Sequence, residues 1–197
     1  MTYAIIGSGA IGSAIATQFA RAGLDVQVAN SRGPASLQEL ASKLGHRIKP
    51  TVLEQALRAD VVFLAVPFAS APATLAGTGN WQDRILVDAT NAVEFPSFRP
   101  IDLAGRLSSQ VIGELVPGAR IVKAFNTLPA AILASDPRKQ GGRRTLFLSG
   151  DHTDANIKIA ALIEALGFSA IDLGPIDQGG RLQHFGGPLM VHNLIKY

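Results

Sequence analysis

Short apolar runs alternate with amphipathic ones along the whole chain. Tyr3 to Ile6 forms a β-type run, and Ser13 to Ala22 reads as a helix that stops at Gly23. Leu24 to Ala29 alternates like a second strand. Pro34 then opens a segment whose Ser36 to Leu44 stretch is amphipathic and ends at Gly45. His46 to Lys49 reads as a short third strand. Thr51 to Arg58 is expected as a helix, with Thr51 and Glu54 spaced as a capping box. Val61 to Val66 is apolar without interruption, as in a strand covered on both faces of a parallel sheet. A short helix over Ser70 to Ala76 and strands at Arg84 to Asp88 and Arg120 to Ala124 follow. Beyond Pro129 the pattern gives a strand at Thr145 to Ser149, a helix at Asp154 to Leu166 stopped by Gly167, and a strand at Ser169 to Asp172. Gly179–Gly180 and Gly186–Gly187–Pro188 break the last stretch, after which a helix is expected. This alternation predicts an α/β fold with a doubly wound, mostly parallel sheet.

The junction of the first strand and first helix carries the most specific signal. Gly7, Gly9 and Gly12 stand in a G-x-G-x-x-G with the required strand before and helix after. In a Rossmann-type unit Gly7 permits the tight turn, Gly9 admits a pyrophosphate and Gly12 lets the helix pack against the strand. The phosphates then meet free N–H groups at the helix N-terminus. An NAD-specific site places Asp or Glu at the tip of the second strand to hold a ribose hydroxyl. This chain has Asn30, Ser31 and Arg32 there and no carboxylate. A hydroxyl and a guanidinium suit a 2′-phosphate, so the expected cofactor is NADP(H), the alternative being that Arg32 is a solvated turn residue.

In such sheets ligands lie beyond the C-terminal strand ends. Val66–Pro67–Phe68 offers apolar surface to a ribose or nicotinamide, or is an ordinary strand-ending turn. Asn91 and Asn126 suit a ribose or carboxamide, or cap turns. Asp88 reads as a turn cap rather than a base, and Lys123, on an apolar strand, either pairs with Asp88 or Glu114 or points toward the cleft. His46, His152, His184 and His192 are dispersed without metal spacing; no catalytic residue and no metal site is assigned. Composition narrows the class further. Apolar residues make up 47% and charged ones 17% of 197, enough for one sizeable domain with a large core. The net charge is only +3, and the adjacent basic pairs Arg138–Lys139 and Arg143–Arg144 lack interleaved aromatics, so no nucleic-acid surface is expected. The absence of Cys excludes disulfides and thiolate chemistry. The longest uncharged stretch, Val61 to Gln82, contains Pro67 and Pro72 and reads as strand plus short helix rather than a membrane span. With the first strand beginning almost at Met1, no leader and a cytoplasmic location are expected.

Taken together, Y-A-I-I-G-S-G-A-I-G, N-S-R, L-A-V-P-F, D-A-T-N and V-K-A-F-N-T-L-P resemble the NADPH:coenzyme F-420 oxidoreductases, which pass hydride between NADP(H) and an 8-hydroxy-5-deazaflavin. The resemblance extends through G-D-H-T-D-A-N and I-D-L-G-P-I, and the same motifs are similar to the oxidoreductase domain of the STEAP metalloreductases, which uses NADPH and a flavin. It implies that Ser8, Ala10 and Ile11 line the pyrophosphate turn and that Ser31 and Arg32 hold the 2′-phosphate. By the same resemblance Val66, Pro67, Asn91, Ala124 and Asn126 face the nicotinamide half. It further implies an NADP(H)-binding unit over residues 1–128, a small C-terminal α+β lobe over 129–197 packed against it, and a homodimer. The small-molecule redox partner is then coenzyme F-420 or FMN/FAD. Two other functions stay open: reduction of a small C=N or C=O substrate, and NADPH sensing or scaffolding without turnover.

Overall fold

A computed structural model describes residues 1–197. Six parallel strands form its centre: β1 (Tyr3–Ile6), β2 (Val26–Ala29), β3 (Ile48–Pro50), β4 (Val61–Leu64), β5 (Ile85–Asp88) and β6 (Arg120–Ala124). Their spatial order is β6-β5-β4-β1-β2-β3. Helices α1 (Ala10–Ala22), α2 (Gln38–Leu44), α3 (Leu53–Ala56), α4 (Ala71–Leu75) and α5 (Ser108–Leu115) connect them. Beyond β6 come α6 (Ala130–Ala134), the hairpin β7 (Arg138–Lys139) with β8 (Gly142–Ser149), then α7 (Thr153–Ala165), β9 (Ser169–Asp172), α8 (Gly179–Gln183) and β10 (Ile195–Lys196). β8 joins the same sheet antiparallel to β6, pairing Lys123 with Ser149, and carries β9 parallel and β10 antiparallel. No helix is long and apolar enough to cross a membrane.

The strands are apolar throughout because both faces are covered. Successive residues feed opposite layers, as the period of two requires. Ile5, Val61, Phe63 and Val87 pack under α1 and α7, whereas Ala4, Ile6, Val62, Leu64 and Leu86 pack under α4 and α5. In the first layer Tyr3, Phe19, Phe63 and Phe125 form a chain of tilted and edge-to-face rings with centroids 5.4, 5.7 and 5.4 Å apart. The second holds the single tryptophan, Trp81, fully buried, its Nε1–H donating to Thr78 Oγ1 at 3.0 Å and Arg84 stacked 4.6 Å from the ring.

Several predicted elements form differently. Thr51 caps no helix. Its N–H donates to the Val28 carbonyl at 2.9 Å, prolonging the β2–β3 ladder, and α3 starts two residues later behind Val52 with no side-chain cap. The third strand is displaced to Ile48–Pro50 for the same reason, since its register on β2 pairs Ile48 with Val26. The Gly179–Gly180 pair does not break the chain but opens α8. A Cβ on Gly179 would stand 2.5 Å from Leu173 Cβ and 2.7 Å from Ser149 Cβ, so glycine permits close packing on β8. The helix expected after Pro188 is absent; the chain end adds β10 to the sheet instead. The pattern also missed α5, α6 and β7, elements of two to eight residues too short to show a period.

Candidate functional site

From β1 the chain crosses to β2 on one side, and from β3 it returns to β4 on the other. The strand order reverses between β1 and β4, and a crevice opens beyond their C-terminal ends. Gly7 to Gly9 leaves β1 there and Ala65 to Pro67 leaves β4. Two cavities meet along this line, sharing Gly9, Ala65, Val66 and Pro67. One, of about 490 Å³, runs over Gly7, Ser8, Asn30, Ser31 and Arg32 toward Leu53, Ser70 and Thr74. The other, of about 440 Å³, is walled by Ala10, Ile11, Asn91 and Val93 and by four aromatic rings, Phe68, Phe95, Phe98 and Phe185.

The three glycines fit a dinucleotide for separate steric reasons. Gly7 has φ +106°, and a Cβ there would fall 2.3 Å from the Ala65 carbonyl oxygen. A Cβ on Gly12 would lie 1.9 Å from the Gly7 carbonyl oxygen, so α1 can approach the turn only with glycine at that position. Gly9 differs: its Cβ would meet no protein atom within 4 Å, because that side of the backbone faces the cavity. Gly9→Ala is therefore expected to change stability by less than about 1 kcal/mol, the cost of alanine at an N-cap. The added methyl stands where a pyrophosphate would approach, so the dissociation constant for NADPH should rise at least about tenfold. Thermal melting alongside NADPH titration checks this. A stable variant with unchanged affinity would show that Gly9 admits no phosphate.

Asn30 ties the turn to the second strand tip. Its Nδ2 donates to Ser8 Oγ at 2.9 Å and Ser36 Oγ at 3.0 Å, while its Oδ1 accepts the Arg32 N–H at 2.9 Å. Ser31 and Arg32 are exposed at the cavity rim, and Arg32 enters no ion pair. An uncommitted guanidinium beside two hydroxyls, with no carboxylate in the cavity lining, suits a phosphate monoester.

Beneath the apolar cavity lies a buried polar layer. Lys123, 2% exposed, pairs with fully buried Asp88 at 3.1 Å and donates to the Thr90 carbonyl at 2.6 Å. Asp88 also accepts from the Thr90 N–H (2.9 Å), the Thr90 hydroxyl (2.7 Å) and the Ser109 hydroxyl (2.6 Å). Burial pushes its carboxyl up, but the Lys123 ammonium and these donors outweigh it and hold it below the usual carboxylate range. Asp88 thus caps a turn and stays charged. Asn91 lines the cavity and is locked edge to edge with Asn126, donating to its carbonyl at 3.0 Å and accepting from its Nδ2 at 3.0 Å. Asn126 is itself buried and donates to the Gln183 carbonyl at 2.8 Å. Gln183, fully buried, receives the Ser149 hydroxyl at 2.7 Å and so bolts α8 to β8. Of the expected site residues, Gly12, Ala124 and Asn126 line neither cavity: the first two pack in the core and Asn126 supports Asn91 from below. Sequence reasoning missed Leu53, Ser70 and Thr74 on the polar side and Val93, Phe95, Phe98 and Phe185 on the apolar side. Two exposed phenylalanines, three apart in a loop with two prolines, were the available signal.

Residues 2–92 match the model of the coenzyme F420-dependent NADP oxidoreductases. This stretch, just under half of the chain, is similar to that family. The chain is also 28% identical to the metalloreductase STEAP3 of Rattus norvegicus over 173 residues, 87% of this chain but 33% of that protein. The chain thus spans about a third of that relative's length. Among solved structures, the hypothetical protein SMa0349 from Sinorhizobium meliloti is 53% identical and superposes with a TM-score of 0.97, over 100% of this chain and 96% of that one. A proposed F420-dependent NADP reductase from an Arthrobacter species is 28% identical with a TM-score of 0.75, over 90% and 86%. A pyrroline-5-carboxylate reductase from Coxiella burnetii, 20% identical with a TM-score of 0.62, shares the fold over 92% of this chain and 62% of that one.

Proposed function

We propose that the cleft transfers hydride between NADP(H), held along the glycine turn with its 2′-phosphate at Ser31 and Arg32, and a flat deazaflavin or flavin-type acceptor. The composition of the apolar cavity carries this reading. Ten of its fourteen lining residues are hydrophobic, and none bears a titratable side chain. Reduction of a C=O or C=N group calls for a proton donor at the reacting heteroatom. Hydride passage between two stacked rings does not, because the acceptor ring takes up the electron pair and its proton arrives from solvent. Nicotinamide supplies the hydride when bound. The protein's part is then orientation and exclusion of water. Val66 and Pro67 form the shared wall, Asn91 keeps one N–H and one lone pair for a carboxamide or ribose, and Phe95, Phe98 and Phe185 offer ring faces. On this reading residues 1–128 carry the nucleotide and residues 129–197 contribute Phe185 to the acceptor side. Two such units would assemble as a homodimer.

The test is anaerobic loss of NADPH absorbance with the purified chain, offering an 8-hydroxy-5-deazaflavin, FMN, FAD and a small cyclic imine in parallel. Turnover is expected with a ring acceptor and not with the imine. Turnover with the imine alone would overturn the proposal, as would NADPH binding without turnover on any of them.

A further inference from the structure

A buried knot of three amides ties together two walls of the ring cavity. Asn126, 2% exposed, stands at its centre. Its Nδ2 donates to Asn91 Oδ1 at 3.0 Å and to the Gln183 carbonyl at 2.8 Å. Its main-chain carbonyl accepts from Asn91 Nδ2 at 3.0 Å, and its Oδ1 from Gln183 Nε2 at 3.4 Å. Gln183 is the last residue of α8; its Nε2 also faces the carbonyls of Phe147 and Lys123, at 3.2 and 3.3 Å. Asn126 and Gln183 line neither cavity of the cleft. Their neighbours do. Asn91 lines the ring cavity from the exit of β5, and Phe185, two residues beyond Gln183, lines it from the segment after α8.

The chain is strained where the knot is tied. Phe125, immediately before Asn126, has φ +64°, a conformation that bulky side chains rarely adopt. Its ring is buried and held edge-on to Phe63, with centroids 5.4 Å apart. Such strain persists only where the surroundings over-determine it, and it gathers at sites whose geometry matters. Stability alone does not call for the knot, because apolar groups of the same shape in place of both hydrogen-bonding partners are close to neutral. A fully satisfied buried network adds one defined arrangement. For hydride passage between two rings that is the deciding quantity, since a misplacement of about 1 Å costs about a hundredfold in rate.

We propose that Asn126 and Gln183 are positioning residues, which hold Asn91 at the nicotinamide and Phe185 at the acceptor in one fixed relation. The proposal rests on the hydride-transfer reading for what the two walls hold, and adds to it the buried groups that fix the spacing of the rings.

Asn126→Ala and Gln183→Met, made singly and together in the whole chain, test this. The probes are NADPH, plain or deuterated at both positions of its nicotinamide C4, and whichever of FMN or the 8-hydroxy-5-deazaflavin the parent reduces. The NADPH dissociation constant is expected to stay within about threefold, because the phosphate contacts lie in the other cavity. The kcat per NADPH-binding site should fall about 100-fold in each single variant, with a larger deuterium isotope effect. The double variant should lose no more than the worse single one, as for residues acting through one network. Polarisation of the emission from bound NADPH should drop in both, since a nicotinamide no longer held by Asn91 reorients. A merely structural role would lower the melting temperature and leave kcat per site, isotope effect and polarisation unchanged; that result, or losses that multiply in the double variant, would overturn the proposal. If Asn126→Ala does not fold, Gln183→Met decides on the same readouts. If the parent reduces neither ring, the acceptor reading fails and the polarised emission decides the positioning role by itself: a drop supports it, and no change overturns it.

Discussion

Lys123→Met is expected to destabilise the fold by about 3–5 kcal/mol, the usual penalty for stranding one partner of a buried ion pair. That is a large share of the roughly 5–15 kcal/mol that holds a domain together. The pH dependence identifies the cause. In the native protein the Asp88 carboxyl lies below the usual range, so its contribution is fully present above the unfolded value of about 3.9 and is lost as pH falls through the folded value. Without the ammonium, burial dominates and raises that carboxyl above its unfolded value. The folded variant then binds a proton that the unfolded chain does not, and this contribution grows as pH is lowered from neutrality toward about 4. Urea unfolding across that range is expected to show opposite slopes for the two proteins. Asp88→Asn added to Lys123→Met should recover part of the loss, because the amide oxygen still accepts from Thr90 while the buried charge is gone. A variant whose stability falls on acidification like the parent's would show that the pair matters only by packing.

Arg32→Ala is expected to raise the dissociation constant for NADPH by about 10- to 100-fold and leave that for NADH within about twofold, the difference being the charge-assisted contacts to one phosphate. The guanidinium is exposed and unpaired, so unfolding should be unchanged within about 0.5 kcal/mol. Fluorescence titration with both nucleotides at two salt concentrations measures this; the NADPH advantage of the parent should also narrow at higher salt. Equal losses for the two nucleotides would place Arg32 outside the 2′-phosphate site.

The polar half of the cleft was legible in the sequence because its parts are local. The turn at residues 7–12, the strand tip at 30–32 and the Val66–Pro67 wall shared with the apolar half each sit where a strand ends, and strand ends are what apolar periodicity locates best. The Lys123–Asp88 pair was among the stated alternatives for the same reason: each residue is an ionisable group on an apolar strand, and β5 and β6 are neighbours in register, Asp88 opposite Lys123. The apolar half was legible only in part: Ala10, Ile11, Phe68 and Asn91 were expected and line it. The rings of Phe95, Phe98 and Phe185 come from a loop without a period and from a glycine-rich segment after α8, which only tertiary packing brings together. Gly179 shows why: its meaning was a close contact with Leu173 and Ser149, invisible until β8 and β9 are placed. Asn126 was singled out but sits one layer below the surface, where it is spent on Asn91 and Gln183.

The lone indole gives the protein two separate optical channels without any label. Trp81 lies in the layer beneath α4 and α5, outside both cavities of the cleft. Its emission colour therefore reports solvent entry into that layer. Ligands that never touch it leave that colour unchanged. Reduced nicotinamide absorbs where a buried indole emits, so the loaded cleft would dim Trp81 by energy transfer without shifting its spectrum. Intensity then reads occupancy while wavelength reads integrity, in one cuvette.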